Sequence, residues 1–305
     1  MAELLPVILE GPRVEVALPA SYELGEGALY DSARDEYLHV DILGRTVTRH
    51  DLASGGTRTY AMPSAVGTVV PRASGGAVVA LETGPAALDY DTGALTPLTA
   101  PLEQPPTNRC NDGKAGPDGR FYFGTMHSPS VADRPPVGKL YVLDTDGSLR
   151  VLLTDVRISN GIAWSLDGAT MYYIDTPSHE VAALDFDAAK GAVANRRTAF
   201  KIPTGTGAPD GCTMDAEGKL WVAQWGGSRV VRYDPATGAV LAVVRLPTAH
   251  VSSVAFGGPD LDEIYITTAK EYMDDATRAA QPAAGHVFVV RRSGFKGVPA
   301  CAFQG

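Results

Sequence analysis

One short pattern returns along this chain at intervals in the forties, and that spacing limits the fold more than any other feature. Each return opens on a polar head in a small or turn-forming context. Glu26 stands in Gly25-Glu26-Gly27-Ala28, Asn111 in Cys110-Asn111-Asp112-Gly113, Asn160 in Ser159-Asn160-Gly161-Ile162, and Asp210 in Pro209-Asp210-Gly211-Cys212. The heads Asn111, Asn160, Asp210 and Ser252 are 49, 50 and 42 residues apart, and the 85 residues from Glu26 to Asn111 hold two units of about 42. The fifth unit shows the grammar best. Asp210 to Met214 reads as strand, 215–218 as turn, Lys219 to Gln224 as strand and Gly226-Gly227 as turn. Ser228 to Tyr233 follows as strand, 234–238 as turn, and Ala239 to Leu246 as a last strand. Alternating apolar positions and Gly, Pro and Asp punctuation carry these assignments. Four strands per unit and a period in the forties predict a β-propeller.

Six such units fill the chain, so the expected fold is all-β: a six-bladed propeller with four-stranded blades, in one domain over 1–305. The strand-like stretch Arg13 to Leu18 is left over. It is expected to pair into the last blade and close the ring, removing an exposed sheet edge.

Composition narrows the partners. Of 305 residues, 45% are apolar and 20% charged, as in a soluble globular protein. The net charge is −9, and no run of Lys or Arg exceeds two. Nucleic acid and anionic membrane surfaces are therefore not expected partners, since both need concentrated positive charge. Three widely spaced cysteines, Cys110, Cys212 and Cys301, make no disulfide framework and fit reduced thiols in a cytoplasmic protein. The first twenty residues lack a basic start followed by a long apolar core, so no secretory leader is expected. No apolar run is long enough to cross a bilayer.

Equivalent positions in a ring of copies converge on its axis. Glu26, Asn111, Asn160 and Asp210 would then bring two carboxylates and two amides together. That is a hard-cation donor set, suited to Ca²⁺, Mg²⁺ or Mn²⁺, with Fe²⁺ and Zn²⁺ within range. The six histidines (39, 50, 127, 179, 250 and 286) form no HxH or HExxH spacing, which disfavours a histidine-based zinc site. Asn-Gly and Asp-Gly are also turn formers, so any one head taken alone has a purely structural reading. There is no Gly-x-Ser-x-Gly elbow for a serine nucleophile. Tyr30, Tyr122, Trp164 and Trp221 read as core between blades, whereas Trp225, beside Gly226-Gly227, is placed to line a funnel mouth and offer a ring face for stacking. The insertions 127–138 and 271–284 are the candidate lids.

With the heads aligned, the chain resembles the senescence marker protein (regucalcin), gluconolactonase and luciferin-regenerating enzyme family. The matching strings include Gly25-Glu26-Gly27, Asn108 to Lys114, Gly124-Thr125-Met126, Ile158-Ser159-Asn160-Gly161, Pro209-Asp210-Gly211 and Asp215 to Ala223. The resemblance implies one divalent metal in a central funnel, with Glu26, Asn160 and Asp210 as its protein ligands. It implies that Asp210 is the general base, and that Arg109 and Asn111 contact substrate or a bound water. The implied activity is hydrolysis of a sugar aldonolactone to the aldonic acid; a monomer or weak homo-oligomer is expected. Animal members carry acidic residues soon after Gly-Thr-Met. Here that segment reads His127-Ser128-Pro129-Ser130, which makes His127 a candidate substrate contact. Rival readings are a phosphotriesterase or arylesterase on the same frame, a calcium-binding regulator without catalysis, and an interaction scaffold. The scaffold would leave the four heads buried without a cation, which is costly.

Overall fold

The computed structural model describes residues 6–131 and 133–305. Residues 1–5, where the leader reading begins, and residue 132 of the first insertion lie outside the described residues. Six sheets account for the strands, and four of them are built from consecutive chain segments. The first blade runs Gly25–Asp31, Glu36–Asp41, Thr46–Asp51 and Thr57–Ala61, antiparallel throughout. The other innermost strands are Val66–Pro71, Asn108–Ala115, Ser159–Trp164, Ala208–Met214 and Val251–Gly257. Four of the six are buried along their whole length. A strand with no solvent face has no reason to alternate polar and apolar residues, which explains the small, Gly-rich wording of the heads.

Closure follows the expected route. Glu15–Leu18 pairs antiparallel with Val287–Val290 and supplies the outer strand of the sixth blade. Two features were not anticipated. Val7–Leu9 adds a fifth, parallel strand to the fifth blade, with Leu9 fully buried. The sixth unit also ends earlier than the expected limit near Val298. After Val290 the chain leaves the blade and crosses the far ends of the inner hairpins. Gly297 bridges to Asp215 of the fifth blade, and Phe303 bridges to Arg72 of the second. The amide of Gln304 donates to the carbonyl of Gly119 in the third blade at 2.9 Å.

Aromatic side chains fill the seams between blades. Trp221 is fully buried and meets Phe256 at 5.6 Å and Phe295 at 5.0 Å, both edge to face. Its Nε1 donates to Asp215, which also pairs with Arg232. Tyr30, Tyr122 and Trp164 are buried as expected. One short helix, Asp275–Ala280, lies in the 271–284 insertion, capped by the Asp274 side chain accepting from the Thr277 amide. Among the described residues no helix is long and apolar enough to cross a membrane.

Candidate active site

All six inner strands share one irregularity. The pairing register with the second strand slips between Glu26 and Leu29, Val66 and Val69, Cys110 and Gly113, Ser159 and Ile162, Pro209 and Cys212, and Val251 and Ser253. Asn111, Asn160 and Asp210 are the first residues inside their breaks, and Glu26 bounds its own. A bulge opposes two residues to one, bends the strand and re-aims a side chain. Here the polar heads turn out of the blades toward the axis. Close approach is needed as well. A Cβ on Gly67 would lie 2.2 Å from the carbonyl oxygen of Asn111, and one on Gly161 would lie 2.7 Å from that of Asp210.

Glu26, Arg109, Asn111, Asn160 and Asp210 line one cavity of about 160 Å³, together with Leu24, Met126, Arg134, Ile158, Thr176, Trp225, Glu271 and Tyr272. A hydrogen-bonded chain holds its base. The Arg109 Nη1 donates to Asn111 Oδ1 at 2.6 Å, and Asn111 Nδ2 donates to Asn160 Oδ1 at 2.9 Å. Asn160 Nδ2 donates to Thr176 Oγ1 and Thr176 Oγ1 to the Pro209 carbonyl, each at 2.8 Å. With its amide nitrogen committed to Thr176, Asn160 turns its oxygen toward Asn111 and the cavity.

The carboxylates are less comfortable. Burial, then the nearby Asp112 carboxylate, pushes the pKa of Glu26 up to about 8. Burial, then Glu26, raises that of Asp210 well above the ordinary range. Asp210 Oδ1 is buried with no hydrogen-bond partner. An unpartnered, buried carboxylate oxygen beside a second carboxylate is costly unless a cation or a proton sits there.

Residues 24–270 match the family model described as SMP-30/Gluconolactonase/LRE-like region. The chain belongs to this family. Regucalcin of Xenopus laevis is 40% identical over 296 residues, which is 96% of this chain and 99% of the relative. A luciferin-regenerating enzyme of known structure is 34% identical with a TM-score of 0.89, covering 97% of this chain and 100% of that one. A calcium-binding protein, regucalcin, from Agrobacterium tumefaciens is 29% identical with a TM-score of 0.92, covering 99% and 100%.

The donors of this SMP-30/gluconolactonase-type chain fit a hard divalent cation. Glu26, Asn160 and Asp210 offer oxygens only, and one of those oxygens lacks any partner. Among the described residues no group of three or more His, Cys, Asp or Glu is arranged to hold a metal ion, and beside the two carboxylates the cavity offers the amide oxygen of Asn160.

His127 is not brought to the cavity. It ends the strand Phe121–His127, half-buried, with Nδ1 hydrogen-bonded to Thr107 Oγ1 at 3.1 Å. Its carbonyl instead holds Arg134, which does line the cavity. Trp225 lines it too, with one face stacked on His250 at 4.2 Å. Both insertions reach the mouth, where Arg134 Nη2 donates to the Tyr272 hydroxyl at 2.8 Å. Reading the sequence missed Asp112, Arg134, Thr176, Glu271 and Tyr272. The only signals were the place of Asp112 beside a head and the length of the two insertions. Cys110 and Cys212 are buried, and burial raises both thiol pKa values, that of Cys212 to about 12. Neither supplies a thiolate nucleophile near neutral pH.

Proposed function

We propose that this protein is a divalent-cation-dependent hydrolase that opens sugar aldonolactones to aldonic acids. The observation that carries the reading is the unpartnered, buried Oδ1 of Asp210 beside the Glu26 carboxylate and the Asn160 amide oxygen, in a solvent-reachable cavity. Glu26, Asn160 and Asp210 would hold the cation. When bound, it would polarise the lactone carbonyl and offset the negative charge that grows on its oxygen. Asp210 accepts the proton of the attacking water through its carboxylate. Arg109 presents its fork of donors to ring or carbonyl oxygens, and its bond to Asn111 fixes the approach of that fork. The cavity, about 160 Å³ and open to solvent, has room for several waters that a five- or six-membered lactone ring would displace. A lactone is an activated ester, so two carboxylates and a cation can supply the modest acceleration it needs. Family membership and the resemblance to regucalcin and to a calcium-binding homologue support both the activity class and the cation.

The test is a pH-drop assay over glucono-, galactono-, xylono- and arabinono-lactone. Chelator-stripped protein is used, with Ca²⁺, Mg²⁺, Mn²⁺, Fe²⁺ and Zn²⁺ added back singly. Turnover is expected only with a cation. Asp210→Asn is expected to keep the fold and lose about 10²- to 10⁴-fold in rate. Parent-level hydrolysis by Asp210→Asn would remove Asp210 as the base, and turnover indifferent to chelation would remove the cation. Tight Ca²⁺ binding without turnover of any lactone would favour the regulator reading.

A further inference from the structure

We infer that the turn at 270–273 is the element that selects a polyhydroxylated ring, with Tyr272 and Trp225 clamping its C–H side in an aromatic corner and Glu271 accepting from its hydroxyls. The inference deepens the lactonase reading and rests on it.

The turn is strained in an informative place. The Met273 amide donates to the Lys270 carbonyl at 3.0 Å, which makes Tyr272 the third residue of a four-residue turn. Its φ is +64°, where glycine or asparagine is favoured and a bulky side chain is not. Such a conformation persists only when its surroundings impose it, and it tends to occur at functional sites. The surroundings are visible. The amides of Lys270 and Glu271 both donate to the Glu23 carbonyl, at 3.0 and 2.8 Å. The Glu23 carboxylate is in turn gripped by both terminal nitrogens of Arg278. From the other insertion, Arg134 bonds the Tyr272 hydroxyl. Two lids and the first blade thus hold one tyrosine over the funnel.

Held this way, Tyr272 is in an odd position for a residue of purely structural use. It is 55% exposed, yet it lines the cavity. Its one aromatic neighbour in that wall, Trp225, meets it edge-on at 6.4 Å and 71°. Trp225 is itself backed by His250 in a near-parallel stack. The two rings form an aromatic corner with space beside it. Sugar rings present C–H faces to such surfaces and hydroxyls at their edges. Glu271 supplies the matching acceptor. Besides Glu26 and Asp210, it is the one acidic side chain among the described lining residues. Arg109 and Arg134 line the same cavity, so a carboxylate and two guanidinium forks surround the position where ring hydroxyls would lie. An unsubstituted lactone has no hydroxyl to offer Glu271.

Kinetics on matched rings test the idea. The parent, Glu271→Gln and Tyr272→Gly are assayed on the sugar lactone the parent opens fastest and on δ-valerolactone, with melting temperatures recorded alongside. Glu271→Gln is expected to raise KM for the sugar lactone about ten-fold or more, the loss of a hydrogen bond to a charged group, with little change in kcat. Tyr272→Gly is expected to raise the same KM without lowering the melting temperature, because glycine relieves the backbone. Glu271→Gln should not weaken turnover of δ-valerolactone, which has no hydroxyl for Glu271 to bind. If the parent does not open that lactone, the KM shift on the sugar lactone decides alone. A Tyr272→Gly protein that melts lower while keeping the parent KM would make Tyr272 structural and overturn the clamp. Unchanged KM in both variants would overturn the whole inference while leaving the lactonase reading intact. A parent that opens no sugar lactone would sink both.

Discussion

Glu26 and Asp210 show how much one residue's environment decides. In solution each would be ionised well below neutral pH. Buried here, Glu26 holds its proton up to about pH 8, and Asp210 is raised as well. The folded pKa of Glu26 lies above its ordinary 4.5, so without a cation the fold gains from protonation. That gain is complete below the ordinary value and is lost as pH rises through about 8. A divalent cation held there would take over the proton's role, and its binding would release protons. The expected outcome is a melting-temperature gap between cation-loaded and chelated protein that widens from pH 5 to pH 8. Calorimetry at fixed cation excess measures it, and a gap that does not depend on pH would place cation binding elsewhere. Residue identity and shared context made Glu26, Asn111, Asn160 and Asp210 legible, because they announce an oxygen-donor set, whereas Arg109 was legible only through the family resemblance. Asp112 was not legible. Its side chain matters only because the register break carries it inward beside Glu26, and no spacing rule in the sequence shows that.

At the scale of the strand, the decisive device is the repeated register break together with the glycines that let inner strands touch. Gly67→Ala tests it. The added methyl would sit 2.2 Å from the Asn111 carbonyl oxygen and 2.7 Å from its amide nitrogen, both backbone atoms that cannot swing away. A destabilisation of about 1–3 kcal/mol is expected, with a displaced Asn111 strand. The prediction is a fall in lactone turnover at temperatures where the variant is still fully folded. A fall in melting temperature with parent-level kcat/KM would show that the site tolerates the shift. Inner strands were easy to find in the sequence because the heads and turns bracket them. The Val7–Leu9 strand was not, since three apolar residues beyond a Pro carry no period, and only the open edge of the fifth blade makes them a strand.

Across the whole molecule, closure by Glu15–Leu18 joins the beginning of the chain to its last blade. A chain beginning at residue 20 would leave Val287–Val290 as an unpaired edge. It is expected to melt roughly 10 °C lower and to aggregate on heating. A chain beginning at residue 11 loses only the parallel strand and its buried Leu9, and should melt a few degrees lower and remain soluble. Light scattering during a thermal ramp separates the two, and equal behaviour would deny the closing strand its special role. The sequence by itself determined the number of units, their four-strand grammar, the closing strand and the oxygen chemistry of the heads. These are local or periodic properties, written into each repeat. Only the tertiary structure decided that Arg134, Glu271 and Tyr272 meet in the wall of one cavity, that His127 stays beside Thr107, and that the last residues cross beneath the ring. Those meetings join distant segments, 138 residues apart for Arg134 and Tyr272 and 233 apart for Arg72 and Gly305. Such proximity exists only once the ring has closed.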